Sequence, residues 1–185
     1  MVIDSHCHIL PPSFRDRRAE IAKRDATFAA LLSDPNARIA SADDLLAAMD
    51  RDGVDQAVVM GMGWTHHQVA VEANEYIIQT VGDNPGRLTG FCSVNPGWGE
   101  PAVTEAQRCF DAGLVGIGEL HADTQGFDIT DVAAMAPLME LARSDRLPVL
   151  VHASEPVGHE YPGKGGTTPD KLYRFIQNFP GNVII

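Results

Sequence analysis

Positive charge is scarce in this 185-residue chain: 14 Lys and Arg stand against 25 Asp and Glu, a formal net charge of −11. No basic stripe interrupts that excess, so non-specific binding to nucleic acid or to an anionic membrane surface is disfavoured. Also missing is any apolar run near the ~20 residues of a membrane-spanning helix. The one apolar stretch at the start is broken by Asp4, His6 and His8, and no secretory leader is expected. Cys7, Cys92 and Cys109 are odd in number, far apart and without a Cys-x-x-Cys pair. That excludes a disulfide scaffold and fits a reducing, cytoplasmic setting. Gly61-Met-Gly63 lacks the third glycine of a Gly-x-Gly-x-x-Gly fingerprint, which leaves a dinucleotide-binding fold little support. No solenoid-length repeat or low-complexity linker divides the chain, so residues 1–185 are expected to form one domain.

What is present is globular in composition, with 44% hydrophobic and 21% charged residues, enough apolar surface to build a core. Short apolar runs alternate with amphipathic stretches. Strands are expected at Val2–Ile9, Val54–Met60, Arg87–Val94, Leu114–Leu120, Leu147–Val151 and Asn182–Ile185. Between them, Ser41-Ala-Asp-Asp44 can cap a helix that ends at Gly53, and His66–Val81 reads as a helix. Further helices are expected from about Pro101 to before Gly113, from near Pro137, where proline suits a first turn, and after Thr168-Pro169-Asp170. A helical insertion over about residues 14–33 follows the first strand. This α/β alternation predicts a parallel sheet covered by helices, either an open doubly wound sheet or a TIM-type (β/α)8 barrel.

Chemistry collects at the strand ends. Asp4-Ser-His6-Cys-His8 closes the first strand. Residues two apart share a face with Cα atoms ~6.6 Å apart, so two imidazoles can converge on one divalent ion at ~2.0–2.1 Å. Asp4 falls on that face as a candidate acceptor behind them. Cys7 points the other way and is expected to pack. Glu119 ends the fourth strand, with His121 two residues on, and His152 ends the fifth. A barrel brings the C-terminal ends of its strands to one rim, so these side chains from three strands would meet there.

His6-Cys-His8, Glu119 and His152 together resemble the amidohydrolase superfamily. The run from Asp4 to Pro12 is similar to its amidohydrolase-related branch, which also contains metal-dependent decarboxylases; Arg87–Pro96 and Leu147–His152 extend the likeness. The resemblance implies a TIM-type barrel of which about the first six strands are present. It implies His6, His8 and His152 as metal ligands and Glu119 as a ligand able to bridge two ions. The divalent metal is expected to be zinc first and manganese second. A histidine after the sixth strand and an aspartate after the eighth complete the family's site, so the chain is expected to continue beyond Ile185. The catalytic base, usually that aspartate, is therefore unassigned.

Weaker candidates are His121, His159 and Tyr161 for substrate. The last two lie with Lys164 in a glycine-rich loop after the fifth strand. Trp64, His66 and His67 read as packing and helix initiation, and Arg15-Asp-Arg-Arg18 as a solvated helix face. A metal-dependent hydrolase acting on a small organic substrate is the leading expectation, with decarboxylation on the same scaffold second. A TatD-like deoxyribonuclease shares the His-x-His and the glutamate, but Pro11-Pro12, Glu119-Leu-His121 and the net charge speak against it. A degenerate, non-catalytic member is the remaining reading. Unpaired first and sixth strands would invite pairing of two copies, a homodimer.

Overall fold

Six short parallel strands follow one another in chain order in the computed structural model, which describes residues 1–154, 157–159, 161 and 164–185. The strands β1 (Ile3–His8), β2 (Gln56–Met60) and β3 (Leu88–Gly90) form one ladder. A second consists of β4 (Ile117–Leu120), β5 (Pro148–Val151) and β6 (Val183–Ile184). Cys92, just past β3, joins the two by a parallel bridge to Ile117. Its N–H donates to Gly116 O at 2.9 Å, and its carbonyl accepts from Gly118 N at 2.8 Å. The succession β1 to β6 is therefore continuous, as the first part of a (β/α)8 barrel requires. Every strand is shorter than its apolar run, because the flanking residues serve in turns and at the rim.

Between the strands lie α4 (Ala42–Asp52), α5 (His67–Asp83), α6 (Glu100–Asp111), α8 (Val132–Ser144) and α9 (Pro169–Asn178). The cap expected at Ser41 is a full capping box: Ser41 Oγ accepts from Asp44 N, and the Asp44 carboxylate accepts from Ser41 N. Gly53, at φ 73°, ends α4 in the left-handed conformation that glycine adopts without strain. The expected helix start near Pro137 is corrected. Asp131 caps α8 through Ala133 N and Ala134 N, and Pro137 lies inside the helix. The Asp131 cap and the buried Met135, Leu138, Met139 and Ala142 outweigh the one backbone bond that proline forfeits. Thr168 precedes α9 with Pro169 at its first turn, but its hydroxyl makes no cap bond.

The insertion comprises α1 (Ser13–Asp16), α2 (Arg18–Arg24) and α3 (Ala26–Leu32). It has a small core of its own, in which Phe14 meets Phe28 at 6.0 Å and Trp64 at 6.1 Å, both edge-on. Each such buried ring contributes on the order of 2–3 kcal/mol. The main core runs between strands and helices through Val59, Ile77, Ile117, Leu120, Met139 and Val149. Arg15 and Arg18 do more than face solvent, since both donate to backbone carbonyls of the segment that follows the insertion. Cys7, Cys92 and Cys109 are free and buried. Among the described residues no helix is long and apolar enough to cross a membrane.

Candidate metal centre

The end of β1 sets the site. Cys7 packs into the core, while His6 and His8 on the opposite face keep 42% and 32% of their side-chain surface in solvent. Burial, with Asp4 adding to it, pushes the Cys7 thiol up to about 12, which leaves it a neutral packing group. The expected role of Asp4 behind the imidazoles is corrected. A register shift separates Asp4 from Cys7 in the pairing with β2, and Asp4 Oδ1 accepts from His6 N at 3.2 Å. The shift breaks the strict alternation that placed Asp4 on the histidine face. His8 is oriented from the residue just past β2 instead: its Nδ1 donates to Gly61 O at 2.7 Å. That bond requires a proton on Nδ1, so Nε2 is the ring nitrogen left to face a metal.

Glu119 reaches the same point from β4. Its Oε2 lies 3.5 Å from His8 Nε2 and 3.8 Å from His6 Nε2, and the two Nε2 atoms are 3.0 Å apart. Donors bound tetrahedrally at ~2.1 Å to one ion stand about 3.4 Å from each other, so this spacing fits a single divalent cation. One ligand atom from each of His6, His8 and Glu119 lies within 4.8 Å of the others. Burial alone would raise the Glu119 carboxyl. Hydrogen bonds from His152 and His8 outweigh it and hold the group well below the usual carboxylate range. Two imidazole nitrogens and one carboxylate oxygen form a donor set suited to zinc or manganese.

His152, at the end of β5 and expected as a further ligand, stands behind Glu119 and is not one of the His6, His8 and Glu119 group. It approaches Glu119, its Nδ1 lying 2.8 Å from Oε1, and its Nε2 faces Ser154 Oγ at 3.2 Å. Its ring stacks on His121 at 4.1 Å and 8°. His121 is buried and precedes the short α7 (Ala122–Gln125), where Thr124 Oγ1 sits 3.1 Å from its Nδ1. His159 and Tyr161 lie 5.9 Å apart with Lys164 beside them, and the structure does not join them to the His6, His8 and Glu119 group. Glu155, Pro156, Glu160, Pro162 and Gly163 of that loop lie outside the described residues. Trp64 is fully buried and His66 and His67 begin α5, as expected.

Several supporting residues were not legible in the sequence. Gln125 donates to Trp64 O and Val94 O at 3.0 Å each and accepts from His121 N at 2.8 Å. One buried amide thus ties together the segments that leave β2, β3 and β4. Ser93 Oγ donates to Gly118 O at 2.7 Å and seats the end of β4 beside Glu119. Only the positions of these polar residues just past strand ends could have marked them.

A family model described as amidohydrolase matches residues 3–185. Among solved structures, 5-carboxyvanillate decarboxylase LigW from Sphingomonas paucimobilis is similar over the whole chain, with TM-score 0.74 and 18% identity. A 5-carboxyvanillate decarboxylase from Novosphingobium aromaticivorans, solved with bound manganese, matches 82% of the chain with TM-score 0.63 and 18% identity. The 4-oxalomesaconate hydratase LigJ from Rhodopseudomonas palustris matches 82% with TM-score 0.55 and 21% identity. The chain covers 66%, 50% and 52% of these proteins respectively. No curated protein matches it in sequence.

Proposed function

The chain belongs to the amidohydrolase family, whose solved relatives are enzymes, and on that premise we propose that it carries the metal centre of a hydrolase for a small organic substrate. The observation behind this reading is the convergence of His6 Nε2, His8 Nε2 and Glu119 Oε2. His6, His8 and Glu119 would hold a divalent ion, zinc or manganese, with His152 completing or supporting the set. Such an ion lowers the pKa of a coordinated water towards ~7 and polarises a carbonyl or phosphoryl oxygen. Gly61 O fixes the tautomer and direction of His8. Glu119, kept ionised, brings the negative charge that favours a cation. His152 holds the carboxylate's other oxygen, and the His121 ring behind it limits its rotation. The −11 balance disfavours nucleic acid as substrate.

Decarboxylation is a second reading, favoured by the decarboxylases among the similar structures. On it, the cation serves as anchor for the substrate carboxylate, and the same residues serve as its ligands. Elemental analysis tests the shared premise. Purified protein should hold a divalent metal that His6→Ala/His8→Ala loses, and equal content in both would sink it. Product analysis then separates the chemistries: release of acid or ammonia supports hydrolysis, and carbon dioxide supports decarboxylation. Nicked DNA would replace both with the nuclease.

A further inference from the structure

A concavity lies away from the histidines, where the insertion meets the start of α4. It encloses about 840 Å³ and is lined by Arg15, Arg18 and Arg38, with Pro35, Ala37, Ile39, Ala40 and Asp44 completing its walls. A chain of net charge −11 with 14 basic residues thus places three guanidinium groups on one cavity against a single carboxylate. The volume falls within the usual range for small-molecule sites.

Two of the three arginines are held in place. Arg15 donates through Nε and Nη2 to Ile39 O at 3.0 and 2.8 Å, and through Nη2 to Asp44. Arg18 donates through Nη1 to Leu32 O and to Asp34 O, the latter at 2.8 Å, and through Nη2 to Ala37 O at 2.9 Å. A carbonyl fixes a guanidinium without cancelling its charge, and each group has five N–H donors. Nη1 of Arg15 and Nε of Arg18 therefore retain unused hydrogens. Arg38 is exposed on the cavity and makes no hydrogen bond or ion pair among the described residues.

The acids nearby are already engaged. Ser41, through its hydroxyl and backbone N–H, and then Arg15 hold the Asp44 carboxyl down to about 2. Asp34 turns its Oδ1 to Asn36 N at 2.8 Å and Asn36 Nδ2 at 3.1 Å. If the arginines served only to pin residues 32–44, Arg15 and Arg18 would suffice, and Arg38 would be surplus. Two preorganised forks and one free one are the arrangement that recognises an oxyanion, because planar guanidinium matches carboxylate and phosphate oxygens.

We propose that this cavity is a second binding site, separate from the metal centre, for a small molecule bearing a phosphate or carboxylate group. Arg38 closes on the anion, and Arg15 and Arg18 supply the fixed part of the cradle. Titration calorimetry at constant ionic strength tests it, with inorganic phosphate and succinate as separate probes on the 185-residue chain. At least one probe should bind saturably at one equivalent, and the tighter of the two identifies the recognised group. Arg38 makes no hydrogen bond among the described residues, so Arg38→Ala should weaken that binding on the order of tenfold without shifting the circular-dichroism spectrum. His6→Ala/His8→Ala should keep the wild-type affinity. Absence of saturable binding of either probe, equal affinity in Arg38→Ala, or loss of binding in the histidine variant would each overturn the assignment.

Discussion

Glu119 faces two ways: Oε1 is 2.8 Å from His152 Nδ1, and Oε2 lies 3.5 Å from His8 Nε2. One carboxylate thereby couples the end of β5 to the end of β1. Glu119→Gln keeps the size but replaces an anionic donor by a neutral amide and disturbs the bond to His152. Divalent-metal affinity, measured by competition with a chelator, should fall on the order of 10- to 100-fold. Thermal unfolding of the metal-free protein should move little. If Glu119 bridges two ions, stoichiometry should drop as well, towards one. Unchanged affinity and stoichiometry would remove Glu119 from the centre.

The backbone at Gly61 is the second lever. Its carbonyl orients His8, and a Cβ placed there would come within 2.7 Å of Trp64 Nε1 and 3.0 Å of Ser93 Oγ. Trp64 is fully buried and cannot swing aside. Gly61→Ala should therefore displace the carbonyl as well as overpack the core, costing about 1–3 kcal/mol in denaturant unfolding. It should also weaken metal binding, although residue 61 offers no side-chain ligand. Wild-type affinity in a destabilised Gly61→Ala would mean that the bond to His8 Nδ1 does not matter for the ligand's direction.

The sequence carried the fold because its signals are local. Ser41, Asp44 and Gly53 delimit α4 as their chemistry demands, and the six apolar runs are the six strands. Residues past strand ends were legible too, since a parallel barrel forces His8, Glu119 and His152 towards one rim. Two features resisted. Asp4 was misplaced because a bulge depends on how β1 pairs with β2, which no strand reveals alone. The supports from Gly61 O and Gln125 depend on tertiary approach between segments far apart in sequence.

Away from the site, Glu105 offers a pH-dependent test. It is 5% exposed and accepts from Arg108 Nε at 2.8 Å and Asn74 Nδ2 at 2.9 Å, linking α6 to α5. Burial raises its carboxyl, but Arg108 and Asn74 outweigh burial and hold it below the ordinary value. A depressed folded-state pKa means the unfolded chain binds the proton more readily. The stabilisation is then complete above the unfolded pKa of ~4.3 and lost as pH falls below it. Urea midpoints should show the wild type losing more stability between pH 6 and pH 3 than Glu105→Gln does, those limits being roughly those set by that pKa. Parallel pH profiles would mean that the Arg108 pairing contributes nothing.

Pro137 gives the last prediction. It is exposed, sits in the sixth position of α8 and forfeits the bond that its N–H would make to Ala133 O. A proline inside a helix costs up to ~3 kcal/mol relative to alanine. Here the penalty has been absorbed by a helix that starts at the Asp131 cap and buries Met135, Leu138, Met139 and Ala142. Pro137→Ala should restore the backbone bond without disturbing that buried face. Stability should rise by about 1–3 kcal/mol, reduced somewhat because the unfolded chain regains freedom. A fall in stability would show instead that the proline's rigidity, or a bend it imposes on α8, is required for packing against α6.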